Sequence, residues 1–358
     1  MKILHRIFPV LLLGYHLLFA LFGYQYVLTH HGDAERYWFL RQDLSRSSWL
    51  TFLNPGTDVV KVFTFPLVKF LHLKFWSGFL IFSLVSFAGV LILYRNLMRI
   101  TGSKVKLQLL VLVVMLLPNL HFWTSLIGKE ALLIIPLVVF SREVCRQRYF
   151  SILLLTSTLL TALVRPHIAF VLFLSYVLAL LFTFPLSRKR KATLLGGLGL
   201  MTLLFTWLLT SIQDFSGGFQ RVVQKYEAHI RYFKKTDSYV PLDQYPLPYK
   251  FFTFWFRPLP FEKEGWLYGV ISMENTFFLI LSLFAAYYSV KYFSILKKRI
   301  LFVFPVIMIF IFTLMYVYAY ANFGIILRTK VMAAPFLYFL ILEIGSVHFS
   351  NHDFAESQ

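Results

Sequence analysis

Apolar runs of eleven to twenty-two residues recur along the chain, separated by polar connections. The runs are continuous and do not alternate with period two. They therefore read as membrane-spanning helices and not as the strands of a barrel. Ten spans are expected: 7–28, 76–94, 107–117, 131–141, 150–164, 168–185, 192–212, 274–290, 300–321 and 331–347. The third and fourth are too short to cross unless part of the turn between them dips into the membrane. The first is too long for the apolar core of a signal peptide, and no small-x-small site follows it, so it reads as a retained span. The expected fold is all-α: a polytopic helical bundle forming one integral-membrane domain over 1–358. It would carry a first exposed loop with surface helices at 30–75 and a long second loop at 213–272.

Charge then orients the bundle. With the N-terminus in the cytoplasm, Lys2 and Arg6 fall on the same side as four further basic connections. These hold Arg95, Arg99, Lys104 and Lys106; then Arg142, Arg146 and Arg148; then 188–191; then Lys291 and 297–299. Their single acid is Glu143. The opposite connections are longer and mixed in sign, as the positive-inside rule requires. Composition agrees: 58% of residues are hydrophobic and 14% charged, against about 25% charged in soluble domains. The formal charge of +19 is thus a topology signal helped by anionic lipid, and it excludes nucleic acid as the expected partner. One cysteine, Cys145, rules out an internal disulfide.

Every chemically dense stretch falls on the external side. Thr29 to Trp38 packs Asp33, Glu35, Arg36, two histidines, Tyr37 and Trp38 behind the first span. A carboxylate there can deprotonate a hydroxyl or hold a metal; Asp33 reads equally as the cap of a loop helix, with Glu35 solvated. The stretch 59–74 reads as an amphipathic surface helix, broken or bent at Pro66. Lys129-Glu130 sit between two short spans, where charge is costly and is paired or functional. Arg165-Pro166-His167 forms a tight turn: proline starts the next helix, and the arginine suits a phosphate oxygen or snorkels to headgroups. In the long loop, 219–235 reads as a basic amphipathic helix. An aromatic run there ends at Arg257-Pro258, suited to the headgroup layer or to stacking on a sugar. Glu274 opens the eighth span, and Arg328 lies between the ninth and tenth. No phosphate-binding loop, dinucleotide glycine pattern or zinc-binding HExxH is present. Gly196-Gly197-Leu198-Gly199 reads as helix packing.

Several of these strings carry a resemblance. Pro118-Asn119 with Phe122-Trp123-Thr124-Ser125 and Lys129-Glu130, Arg165-Pro166-His167, Phe256-Arg257-Pro258 with Glu274-Asn275, and Asn322 with Arg328 resemble strings in Wzy/EpsG-like proteins. These are bacterial polysaccharide-assembly members of the C-type (GT-C fold) integral-membrane glycosyltransferases. The resemblance implies a polyprenyl-phosphate or pyrophosphate sugar donor, a glycan or lipid acceptor, and a site in the bacterial inner membrane facing outward. It implies Asp33 as general base, with Glu35 as the second acid of the loop. Arg165 and Arg328 would hold the leaving phosphate with Lys129 near them, supported by Glu130, His167, Arg257 and Tyr37. Several such enzymes carry adjacent acids in this loop; here Ala34 separates Asp33 from Glu35, which leaves open both a divalent metal and which acid acts. The alternatives are a transporter or flippase for a lipid-linked glycan, which would place charge inside broken helices, and a non-catalytic envelope subunit.

Overall fold

The computed structural model describes residues 2–40, 48–212 and 218–356. The expected loops are therefore covered except for 41–47 in the first and 213–217 at the head of the second, which lie outside the described residues. The helices in chain order are α1 (Lys2–His30), α2 (Asp33–Trp38), α3 (Val59–Lys69), α4 (Phe75–Thr101), α5 (Val105–Val114), α6 (Pro118–Thr124), α7 (Lys129–Cys145) and α8 (Ile152–Val164). Then come α9 (Pro166–Thr183), α10 (Arg188–Ile212), α11 (Gly218–Phe233), α12 (Leu247–Phe256), α13 (Trp266–Lys291), α14 (Phe293–Leu296), α15 (Ile300–Ala319) and α16 (Phe323–Glu356). Single 3-10 turns stand at Trp49–Phe52 and Leu242–Gln244. The fold is all-α, with no strand among the described residues.

Among the described residues, six helices are long and apolar enough to cross a membrane: α1 from His5, α4, α9, α13, α15, and α16 to Asn351. A seventh is added if α5 and α6, bent by 46°, form one span. About ten were expected. Part of the difference lies in α7 and α8, which have 17 and 13 residues. Three boundaries also move. Glu274 sits two turns inside α13, which starts eight residues earlier than the expected span. Arg328 belongs to the second turn of α16 and not to a connection, because Asn322 caps that helix: Ile325 N–H donates to Asn322 Oδ1 at 3.2 Å. Glu143, expected in a cytoplasmic connection, is buried in the last turn of α7.

The chain gathers into two compact units, one of 1–169 with 334–358 and one of 170–333. In the first, α4 packs against α1 and α7, and α7 against α8. At one end a core of Val27, Ala34, Tyr37, Trp38, Val60, Phe79, Ile127 and Ala131 seats α2 and α3 on the spans. Gly78 makes this possible, since a Cβ there would collide with the Trp38 ring and Ile127. In the second unit, α12 packs on α13 and α15, and Trp255 Nε1 donates to Thr313 Oγ1 at 2.8 Å.

Two proline sites show how the backbone is kept satisfied. Pro66 has no N–H, so the Val62 carbonyl four residues back loses its helical donor. Trp49 Nε1 supplies one at 2.7 Å, and α3 runs through Pro66 to Lys69 without breaking. Pro118 ends the α5 ladder. The freed carbonyls there take Leu117 N–H (Val114, 3.3 Å), His121 Nε2 (Met115, 2.7 Å) and Tyr15 OH (Leu116, 2.7 Å). Each bond is needed, because an unsatisfied carbonyl in hydrocarbon costs several kcal/mol.

Candidate functional site

A buried charged cluster of the first unit forms where α7 begins and α8 ends. Glu130 lies in the first turn of α7, where the helix dipole favours an acid, and Arg165 caps the C-terminus of α8, where it favours a cation. These two ends meet in an antiparallel pair, and Arg165 Nη2 donates to Glu130 Oε1 at 2.5 Å with both side chains at most 8% exposed. Removing two charges from water is costly, and the mutual attraction offsets that cost only with such close geometry. Lys129 reaches outward from the same turn and donates to Thr57 Oγ1 at 3.2 Å. His167, in the first turn of α9, lies within electrostatic reach of Arg165 and Lys129. The loop carrying Thr57 is strapped down by Gly56 N–H, which donates to Leu163 O, an end carbonyl of α8, at 2.8 Å. Lys129, Glu130, Arg165 and His167 are thus brought together. With His167 neutral their formal charge is +1, the balance an anionic ligand needs. Of the paired and functional readings of this turn, the structure shows a pairing: Glu130 is held by Arg165.

The acidic stretch is built differently. α1 ends at His30, and the chain reverses through His31 and Gly32, both with positive φ. Gly32, at φ 147° and ψ −164°, occupies a region essentially closed to other residues. α2 then buries Ala34, Tyr37 and Trp38 and leaves Asp33 exposed. Asp33 is the first residue of α2 and its cap position is Gly32, so it does not serve as the helix cap. Glu35 is half-buried, and its carboxylate accepts from His31 Nδ1 at 3.0 Å. His31, Gly32, Asp33, Glu35, Arg36 and Phe39 line an open cavity of about 570 Å³. Tyr37 is fully buried and faces the core, with Thr64 Oγ1 donating to its carbonyl at 2.7 Å.

Arg257 and Arg328 belong to the second unit. Arg257 holds Glu262 through Nε at 2.9 and 3.0 Å, donates to Tyr245 OH at 3.3 Å, and lies over the Tyr249 and Phe323 rings. Burial works against its charge, but the hydrogen bonds to Tyr245 and Glu262 and the Glu262 charge outweigh it and hold its pKa above the ordinary value. Arg328 is half-buried. Two residues on, and so on the opposite side of α16, Lys330 is buried. It donates to Asn275 Oδ1 at 2.5 Å and Trp255 O at 3.0 Å, with Glu274 in electrostatic reach. Asn275 Nδ2 donates to Pro258 O at 3.0 Å, after a cis Arg257–Pro258 bond. Asn322 Nδ2 donates to Thr236 and Ser238 hydroxyls at 2.9 and 2.7 Å, tying the long loop to α16.

Thr57 and the buried pair His16 and His121 are not singled out by the sequence reading. The available signal was the ionisable residue inside an apolar run, which His16 gives. Among the described residues, no group of three or more His, Cys, Asp or Glu could hold a metal ion.

Comparison with protein-family models, with curated proteins and with solved structures finds no match for this chain. The fold and the spans define its class: a polytopic, all-helical, multi-pass membrane protein.

Proposed function

We propose that this protein is a glycosyltransferase that moves a sugar or glycan from a polyprenyl-phosphate or pyrophosphate donor to a glycan or lipid acceptor. It would work on the outer face of a bacterial inner membrane, with both termini in the cytoplasm. The observation that carries the reading is the net positive cluster of Lys129, Arg165 and His167 around Glu130, built at a membrane-edge turn. Departure of a phosphate leaves growing negative charge on its oxygens, and fixed cations in a water-poor site stabilise it. Glu130 keeps the Arg165 guanidinium in one orientation, and Lys129, which donates to Thr57, stands beside it as the second cation. Asp33, in the exposed first turn of α2, can take the proton of an acceptor hydroxyl arriving from water. Glu35, half-buried, accepts from His31.

The test uses membranes from a host that makes polyprenyl-linked sugars. Wild-type protein should pass labelled sugar from the lipid fraction into acceptor-linked glycan. Asp33→Asn and Arg165→Ala should each lower that transfer at least about a hundredfold, the range for lost acid–base or charge stabilisation, at equal membrane abundance for Asp33→Asn. Undiminished transfer in both variants would overturn the assignment. One observation favours a second reading, transport of the lipid-linked glycan: α5 and α6 form a broken helix with ionisable side chains at the break. A transporter would leave lipid-linked sugar accumulating on the cytoplasmic leaflet of cells that lack the protein.

A further inference from the structure

In the interior of the first unit, away from every charged cluster above, two histidines meet ring to ring. His16 lies near the middle of the span that α1 makes between His5 and His30. His121 lies on α6, just past the break. Both side chains are fully buried. His16 Nδ1 and His121 Nδ1 are 2.8 Å apart. On the far side of each ring the partners are also fixed: His16 Nε2 is 2.9 Å from Ser86 Oγ and 3.4 Å from Ser125 Oγ, and His121 Nε2 is 2.7 Å from the Met115 carbonyl.

These contacts settle where the protons sit. A carbonyl only accepts, so His121 carries its proton on Nε2 and donates it to Met115 O. His121 Nδ1 is then an acceptor, and His16 must donate to it from Nδ1. His16 Nε2 is left as an acceptor for the Ser86 hydroxyl. The chain runs in one direction: Ser86 to His16 to His121 to Met115. Its one proton-accepting atom able to gain a proton without losing an existing bond is His16 Nε2. A proton placed there makes that nitrogen a donor to Ser86 Oγ, and the Ser86 hydroxyl turns to the Ser83 carbonyl, already 3.1 Å away. No other bond breaks. A second proton is excluded, because it would set two N–H groups head to head across 2.8 Å.

We propose that His16 and His121 form a binding site for a single proton in the interior of the first unit, and that the bound proton tightens the break between α5 and α6. The proton comes from water, rests on His16 Nε2, and leaves one positive charge shared by the two rings through the Nδ1–Nδ1 bond. If the shared proton moves across, the His121 imidazolium donates to Met115 O, and charge-assisted bonds of this kind are roughly twice as strong as neutral ones. The groups that touch the rings are few. α1 gives Tyr15 and Phe19, α4 gives Ser86 and Phe87, α6 and its cap give Ser125, and the α5 end gives Met115 O. Of these only Tyr15 is titratable, so no carboxylate there compensates the added charge. The inference stands apart from the transfer reaction.

The experiment is nitrogen NMR of the full chain with labelled histidine rings in nanodiscs, with His16→Gln and His121→Gln used to assign the pair. At neutral pH the spectrum should show His16 protonated at Nδ1 and His121 at Nε2. On acidification within the folded range the pair should gain one proton, at His16 Nε2, and no second. Hydrogen-exchange protection over 116–124 should rise with that uptake in wild type and stay independent of pH in His16→Gln. The glutamine can still donate to His121 and accept from Ser86, and so keeps the contact without the proton site. Uptake of two protons, or none before the protein unfolds, or the same pH dependence in His16→Gln, would overturn the proposal.

Discussion

Glu130 and Asp33 are acids at the same end of the first unit, held by one shared core, yet their surroundings are opposite. Glu130 is buried at the start of a long apolar helix, with Arg165 at 2.5 Å. Asp33 stands exposed at the start of a six-residue helix, on the rim of an open cavity. The difference lies in what each helix needs. α7 enters the core at once, so its first-turn acid must be neutralised by a partner, and the end of α8 delivers one. α2 buries only its inner face, Ala34, Tyr37 and Trp38, and its first residue remains in water. The comparison teaches that the first acid is built into the buried core while the second stands at its surface, so Asp33 is the acid expected to tolerate substitution with the smaller loss of stability.

The largest way to break this comparison is Arg165→Ala. It leaves Glu130 buried without its cation, and breaking a buried pair from one side costs about 3–5 kcal/mol. Unfolding of the purified chain by SDS titration in mixed micelles should show that loss, and adding Glu130→Gln should recover part of it. A loss under about 1 kcal/mol would mean that the pair is not buried as described.

Next is Gly32→Ala, which leaves every side chain of the acidic stretch in place and strains only the reversal that presents it. At φ 147° a Cβ costs about 1–3 kcal/mol, although space around the position is open. The same unfolding titration should register it, while Gly14→Ala, also in open space but at an ordinary helical φ, should not destabilise. Smaller again is Trp49→Phe, which removes the donor to Val62 O at 2.7 Å. Loss of that bond should cost about 1 kcal/mol and raise hydrogen exchange in α3 around Pro66, with α7 and α8 unchanged.

These cases also mark what the sequence made legible. Helix class and membrane character followed from run length and hydropathy, and the turn strings named Lys129, Glu130, Arg165 and His167, which do come together. Pairing was not legible. Nothing in Lys129-Glu130 says that the acid meets an arginine 35 positions on. Boundaries failed where a side chain supplies a missing backbone partner: Trp49 carries α3 past Pro66, and Asn322 starts α16 early enough to take in Arg328. Burial was legible least. Asp33 and Tyr37, four residues apart, read as one polar-aromatic stretch, yet one is exposed and the other fully enclosed.

The smallest expected effect on stability is the most telling. Asp33→Asn keeps the size and the hydrogen-bonding oxygen of an exposed side chain. It removes a charge from the first turn of a short helix, where such a charge contributes about 0.3–1 kcal/mol. Unfolding should therefore shift by less than about 1 kcal/mol. If Asp33 takes a proton during transfer, activity in the same preparation should still fall at least about a hundredfold, because an amide cannot accept that proton at neutral pH. Glu35→Gln separates the two acids: its carboxylate already accepts from His31, so transfer should fall severalfold and no further. Equal, large losses in both variants would move the base from one residue to the pair. A loss confined to Glu35→Gln would place it on the residue whose imidazole partner can carry the proton away.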